Sequence, residues 1–235
     1  VSQLTIVRHG QTTGPLEDRD RLSPLGHEQA AQLGRSWAAA RRALTHVFVG
    51  PARRHHQTCD AVGAAYRDAG LTFPTPVELP GLDEYPAERL FRVLLPELAQ
   101  RDVRIRALLE QRDEGDDGER LAFRLLEPLG LGWARDELTH ASVERWGEFV
   151  ARVEGALLRI AREAGRGATV VAFTSAGPTA VATGWSLGAT GERVFTLSLS
   201  VRNVSCTDFL FAGERLSLQG FNDVSHLTGE ARTLR

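Results

Sequence analysis

The sequence predicts an α/β fold on a mainly parallel sheet. Two observations carry this. Short apolar, β-rich runs at 4–8, 45–50 and 168–174 alternate with helical patterns. Each run ends in polar or turn-forming residues that lead toward the next helix. Ligands in such sheets sit beyond the carboxyl ends of the strands. That rule singles out Arg8-His9-Gly10, Gly50-Pro51, Leu82-Asp83-Glu84 and Thr174-Ser175-Ala176-Gly177.

The elements follow in order. LTIVR (4–8) is a strand, and Ser23-Pro24 caps a helix that places Leu33, Trp37 and Leu44 on one face. THVFVG (45–50) is a buried strand, and Pro51 opens a helix running to about Gly70. PVEL (76–79) is a weak strand. Helical patterns over 86–140 are broken by the charged stretch DEGDDGER (113–120), expected as a solvated turn. Ser142 is expected to cap an amphipathic helix with Val143, Trp146, Val150, Val153 and Leu157 inward. After ATVVAFT (168–174) a helix starts near Gly177, and RVFTLSLS, NVSCTDFLF and RLSLQGF are expected as strands. The tryptophans Trp37, Trp146 and Trp185 are expected in the core, and His27 and His46 as structural or exposed residues.

The 235 residues suffice for one large domain, or one with an insertion, around a real core. A net charge of −2 gives no global signature of a nucleic-acid or membrane-surface binder. Two cysteines, Cys59 and Cys206, are too few for a disulfide framework or a zinc site. No apolar stretch approaches the roughly 20 residues of a membrane span, and no signal-peptide layout is visible. The expectation is a cytoplasmic protein with no nucleic-acid or membrane partner. Its oligomeric state is not legible.

Arg8 is a planar, bidentate phosphate donor, and His9 can serve as base, ligand or nucleophile. In isolation the triplet reads equally as a surface arginine beside a satisfied histidine. Gly50 to Thr58 runs from a strand through a proline into a cation-rich helix start, where free backbone N–H groups favour an anion. The bland alternative is a basic surface turn. His55-His56 invites a metal, but adjacent helical positions point apart, so no metal site is expected. Glu84 offers a carboxyl able to trade protons with a leaving group.

Together the motifs VRHGQT (7–12), LSPLGHEQAAQLG (22–34), GPARRHHQT (50–58), LDE (82–84), VVAFTSAGP (170–178) and NDVSHL (222–227) resemble the histidine phosphatase superfamily, with its phosphoglycerate-mutase-like fold. The resemblance covers nearly the whole chain. It implies a three-layer α/β sandwich over 1–235 with residues 86–140 inserted as a helical cap. It implies a phosphatase acting on a small phosphomonoester, without metal or cofactor. His9 would become a phosphohistidine, and Glu84 would protonate the leaving oxygen. Arg8 and Arg54 would hold the phosphoryl oxygens, Arg54 rather than Arg53 matching the family pattern.

The chain departs from the family at two places. Ser175 stands where the family carries a second histidine, and Pro15 stands where many members have a phosphate-contacting asparagine. Loss of one transition-state donor lowers the rate by about 10²–10³ if nothing replaces it. Candidate replacements are Ser175 itself, backbone N–H groups near Gly177, and His55, His56 or His226. Ser175 is also expected to cap the following helix. A nucleophilic serine would need G-x-S-x-G, and Phe173 stands at the first glycine. The alternative function is an impaired relative that binds a phosphorylated ligand or a protein. The arginines Arg89, Arg92, Arg101, Arg104 and Arg106 are expected to line a solvated helix face.

Overall fold

A computed structural model describes residues 1–13, 20–110 and 118–234. Pro15 and most of the 113–120 stretch lie outside the described residues. Six strands, β1 (Ser2–Arg8), β2 (His46–Val49), β3 (Pro76–Glu78), β4 (Thr169–Thr174), β5 (Cys206–Ala212) and β6 (Arg215–Asp223), form one sheet in the order β3-β2-β4-β1-β5-β6. The four strands from β3 to β1 are parallel, and β5 and β6 extend the edge in antiparallel fashion.

Alternation along the strands builds the three layers. Leu4, Ile6, Phe48, Val170 and Ala172 point to one face, and Val7, Val47, Val49, Val171 and Phe173 to the other. The second face is covered by α1 (Pro24–Ala39) and α2 (Arg53–Asp68) through Leu33, Trp37, Val62 and Tyr66. The first face is covered by α6 (Trp146–Ala164) and α7 (Ala176–Leu187), with α3 (Ala87–Arg101), α5 (Gly118–Ala134) and α8 (Glu192–Ser198) beyond them. A short helix, α4 (Val103–Glu110), packs Ile105 against Leu121 and Leu125. Among the described residues no helix is long and apolar enough to cross a membrane.

The caps explain several boundaries. Ser23 Oγ accepts from the Gly26 N–H at 3.0 Å, as expected, a bond worth about 1 kcal/mol to the helix. Gly26 is also where β1's exit loop presses on α1, since a Cβ on Gly10 would overlap the Gly26 carbonyl. The α6 helix starts at Trp146 behind Arg145, three residues later than the Ser142 cap implies. Ser142 instead bonds His140, and Val143 is buried ahead of the helix. Phe149, Val153, Leu157 and Ile160 form its inward stripe, while Val150 is only partly buried.

One expected strand is a helix. Residues 193–200 fall mostly in α8, behind Gly191 at φ +51°. Val194 and Phe195 are both buried, which neighbours on a strand facing one core cannot be. A helical turn puts them on one side, where Phe195 fills the notch left by Gly130 on α5.

Candidate active site

The four expected strand ends converge. β1 delivers Arg8 and His9, the turn after β2 starts α2 with Arg54 and His55, the segment after β3 carries Glu84, and β4 ends at Ser175. Cross-bonds fix these ends to one another. Thr58 Oγ1 on α2 accepts from the Gly10 N–H at 3.1 Å and donates to the Arg54 carbonyl at 2.8 Å. Thr174 Oγ1 donates to the Leu82 carbonyl, tying β4 to the Glu84 segment. Asn203 Nδ2 donates to the His9 carbonyl at 3.2 Å.

His9 Nδ1 lies 2.8 Å from the Gly10 carbonyl, which assigns its proton to that nitrogen. Nε2 therefore presents a lone pair, and it has no hydrogen-bond partner among the described residues. Burial, and then the nearby Arg54 and Arg8 charges, hold the His9 pKa well below 6.5, so the ring is neutral at neutral pH.

Arg8 donates through Nη1 to the Val201 and Leu234 carbonyls, while its Nε is buried without a partner among the described residues. Burial lowers its pKa to about 10, which leaves it charged at neutral pH. Arg54 Nη1 lies 2.9 Å from Asp20 Oδ1, and Nη2 donates to Ser175 Oγ at 3.3 Å. Arg53 is exposed, whereas Arg54 points inward. The Asp20 carboxylate also accepts from the Arg53 N–H at 3.1 Å. The anion at this helix start is thus partly the protein's own.

Both carboxylate oxygens of Glu84 accept from the Gly177 N–H, at 3.1 and 3.2 Å, so that backbone donor serves Glu84 and not a ligand. Burial raises the Glu84 pKa, opposed by that bond and by the Arg54 and Arg8 charges. Arg152 holds the segment from behind, donating to the carbonyls of Gly81, Asp83 and Glu84.

Ser175 departs from expectation. It occupies the N-cap position of α7, but its side chain makes no capping bond. The hydroxyl is fully buried and lies 2.6 Å from His55 Nε2 as well as against Arg54. His55 is also fully buried, its ring centroid 5.8 Å from that of His9. His56 turns away to Glu78 at 2.9 Å, and His226 lies by Val204 and Asp223. Sequence reasoning left His55 open and did not single out Asp20, Thr58 or Arg152. Thr58 lies within the GPARRHHQT motif, but nothing in the sequence signals the other two.

Of the arginines in 86–110, Arg89 donates to the Ser142 carbonyl, Arg101 to that of Glu137, and Arg106 to those of Ala99 and Gln100. All five are exposed, as a solvated face requires.

The family model of the histidine phosphatase superfamily (branch 1) matches residues 4–122, just over half of the chain, and the chain belongs to this superfamily. No curated protein matches it. Solved structures share the fold. Bacillus stearothermophilus YhfR is 17% identical with a TM-score of 0.67, over 96% of this chain and 99% of that one. A phosphoserine phosphatase from Entamoeba histolytica, solved with 3-phosphoglyceric acid, is 16% identical with a TM-score of 0.63, over 97% and 100%. A mycobacterial glucosyl-3-phosphoglycerate phosphatase, solved with inorganic phosphate, is 18% identical with a TM-score of 0.61, over 96% and 99%. Family membership supports a phosphatase- or mutase-like activity.

Proposed function

We propose that the chain is a metal-independent phosphatase that hydrolyses a small phosphomonoester through a phosphohistidine on His9. One observation carries the reading. His9 Nδ1 is held by the Gly10 carbonyl, which leaves a neutral Nε2, without a partner among the described residues, beside two guanidinium groups.

The chemistry runs in two displacements. The Nε2 lone pair forms a P–N bond as the P–O ester bond breaks, and the Glu84 carboxyl gives its proton to the leaving oxygen. Water then attacks phosphorus and passes a proton back to Glu84. The P–N electron pair returns to Nε2, and inorganic phosphate leaves. Arg8 and Arg54 hold the phosphoryl oxygens and offset the charge that builds there, which is the task a metal would otherwise perform. Burial keeps Glu84 protonated to higher pH than an exposed carboxyl, as a general acid requires.

In this proposal 1–235 is one domain, and the helices within 86–140 form a cap that sets substrate choice. Trp133 on α5 packs against Tyr85, the neighbour of Glu84, with ring centroids 5.5 Å apart. The substrate is a small phosphorylated molecule, with no nucleic acid or membrane involved. A cytoplasmic setting is supported by Cys59 and Cys206, both buried as free thiols.

The test is hydrolysis of 4-nitrophenyl phosphate in the presence of a chelator. Turnover that survives the chelator and disappears in His9→Ala supports the reading. A folded protein that binds inorganic phosphate, with turnover no higher than His9→Ala, would instead be the impaired, ligand-binding relative.

A further inference from the structure

The buried contact between His55 and Ser175 joins residues 120 positions apart and has no part in the two displacements. Its hydrogen-bond directions follow from the partners. Arg54 is an obligate donor, so Ser175 Oγ accepts from Nη2. The Ser175 hydrogen is fully buried and needs an acceptor, and among the described residues His55 Nε2 at 2.6 Å is the one present. The His55 proton then lies on Nδ1, which faces the Gly50 backbone at a geometry short of a full hydrogen bond. Gly50 makes room for it, since a Cβ there would come within 2.5 Å of Nδ1. Burial and the Arg54 charge keep the imidazole neutral, as an acceptor must be. The result is a directed chain from Arg54 through Ser175 to His55.

We propose that His55 is a positioning residue: through the Ser175 hydroxyl it fixes one arm of the Arg54 guanidinium, while Asp20 fixes the other, so that Arg54 meets the phosphoryl group in one orientation. This rests on the phosphatase reading for its kinetic consequence, and on the geometry alone for phosphate binding. Ser175 Oγ meets Arg54 Nη2 at 3.3 Å. A buried serine at this position is then a part of the anion site and not a gap in it. Displacement of a catalytic group by about 1 Å can lower a rate by about 10²-fold, so an unbraced Arg54 is a large defect.

The experiment is a double-mutant cycle between His55→Asn and Arg54→Ala. Asn keeps a polar group near the place of Nδ1 and removes Nε2. Two readouts are taken: kcat/KM for 4-nitrophenyl phosphate, and the Kd for inorganic phosphate by calorimetry. In the native background His55→Asn is expected to lower kcat/KM by about 10²-fold and to weaken phosphate. In the Arg54→Ala background it is expected to change neither, because the group it positions is gone. Equal losses in both backgrounds would show a merely structural role and overturn the proposal, as would no loss in the native background. Ser175→Ala breaks the same chain with a smaller change, and it replaces His55→Asn in the cycle if that variant does not fold. If the native protein shows no His9-dependent turnover, the phosphatase reading fails, while the phosphate cycle still decides the role of His55.

Discussion

Glu84 and Gly177 meet through a single N–H shared by both carboxylate oxygens, at 3.1 and 3.2 Å. The donor is in the first turn of α7, so the start of that helix orients the proposed acid directly. A Cβ on Gly177 would overlap Glu84 Oε1 and come within 2.9 Å of Phe149 and Tyr85. Gly177→Ala is therefore expected to displace Glu84 and to lower kcat by about 10²-fold in a protein that still folds. Steady-state kinetics beside a thermal melt checks this, and unchanged kcat would contradict it.

The pH–rate profile follows from two opposite shifts. His9 must be deprotonated to attack, and its pKa lies well below 6.5. Glu84 must be protonated to donate, and its pKa lies above 4.5. The rising limb of kcat/KM thus belongs to His9 and the falling limb to Glu84. Glu84→Gln is expected to abolish the falling limb. It should slow alkyl phosphates more than aryl phosphates, whose leaving groups need less protonation.

Stability is expected to fall on acidification. His9, His55 and His226 all have folded pKa values below the 6.5 of an unfolded histidine. Below pH 6.5 the unfolded chain binds protons that the native state refuses. Their contribution is fully present above 6.5 and is lost as pH falls through and below that value. Each histidine kept neutral only in the native state adds a slope of about 1.4 kcal/mol per pH unit. Glu84 acts oppositely, its buried carboxyl destabilising the fold as pH rises through its raised pKa. Denaturant melts from pH 7.5 down to 5 read the net slope, and His55→Asn should make it shallower.

Arg152 is expected to matter for rate as well as stability. It clamps the carbonyls of Gly81, Asp83 and Glu84 while Glu144 holds its Nε at 2.6 Å. Arg152→Leu leaves these acceptors unpaired, at a cost of about 1–3 kcal/mol. Because the clamp orients Glu84 and not the arginines, kcat should fall while phosphate affinity holds. A parallel loss of phosphate affinity would refute this division of labour.

The strand ends were legible in the sequence because each is a local event: an apolar run meets Arg8-His9-Gly10, or breaks into Ser175-Ala176-Gly177. The parallel strands β1, β2 and β4 were legible for the same reason, each a short apolar run, whereas the split of Ile6 and Val7 between the two faces is visible only in the structure. Contacts between distant segments were not legible. Nothing near Ser175 announces that its hydroxyl serves His55 on α2, and nothing near Asp20 announces Arg54. The 193–200 segment misled because its apolar residues fit both periods, and only the fit of Phe195 against Gly130 selects the helix.

The most direct measurement is to trap the intermediate. The protein is mixed rapidly with a radiolabelled aryl phosphate, quenched in alkali and mapped by peptide. An alkali-stable, acid-labile phosphoryl group on the peptide carrying His9, formed in a burst and absent in His9→Ala, is the predicted result. Turnover without such a label, or a label that persists in His9→Ala, would contradict the phosphohistidine mechanism.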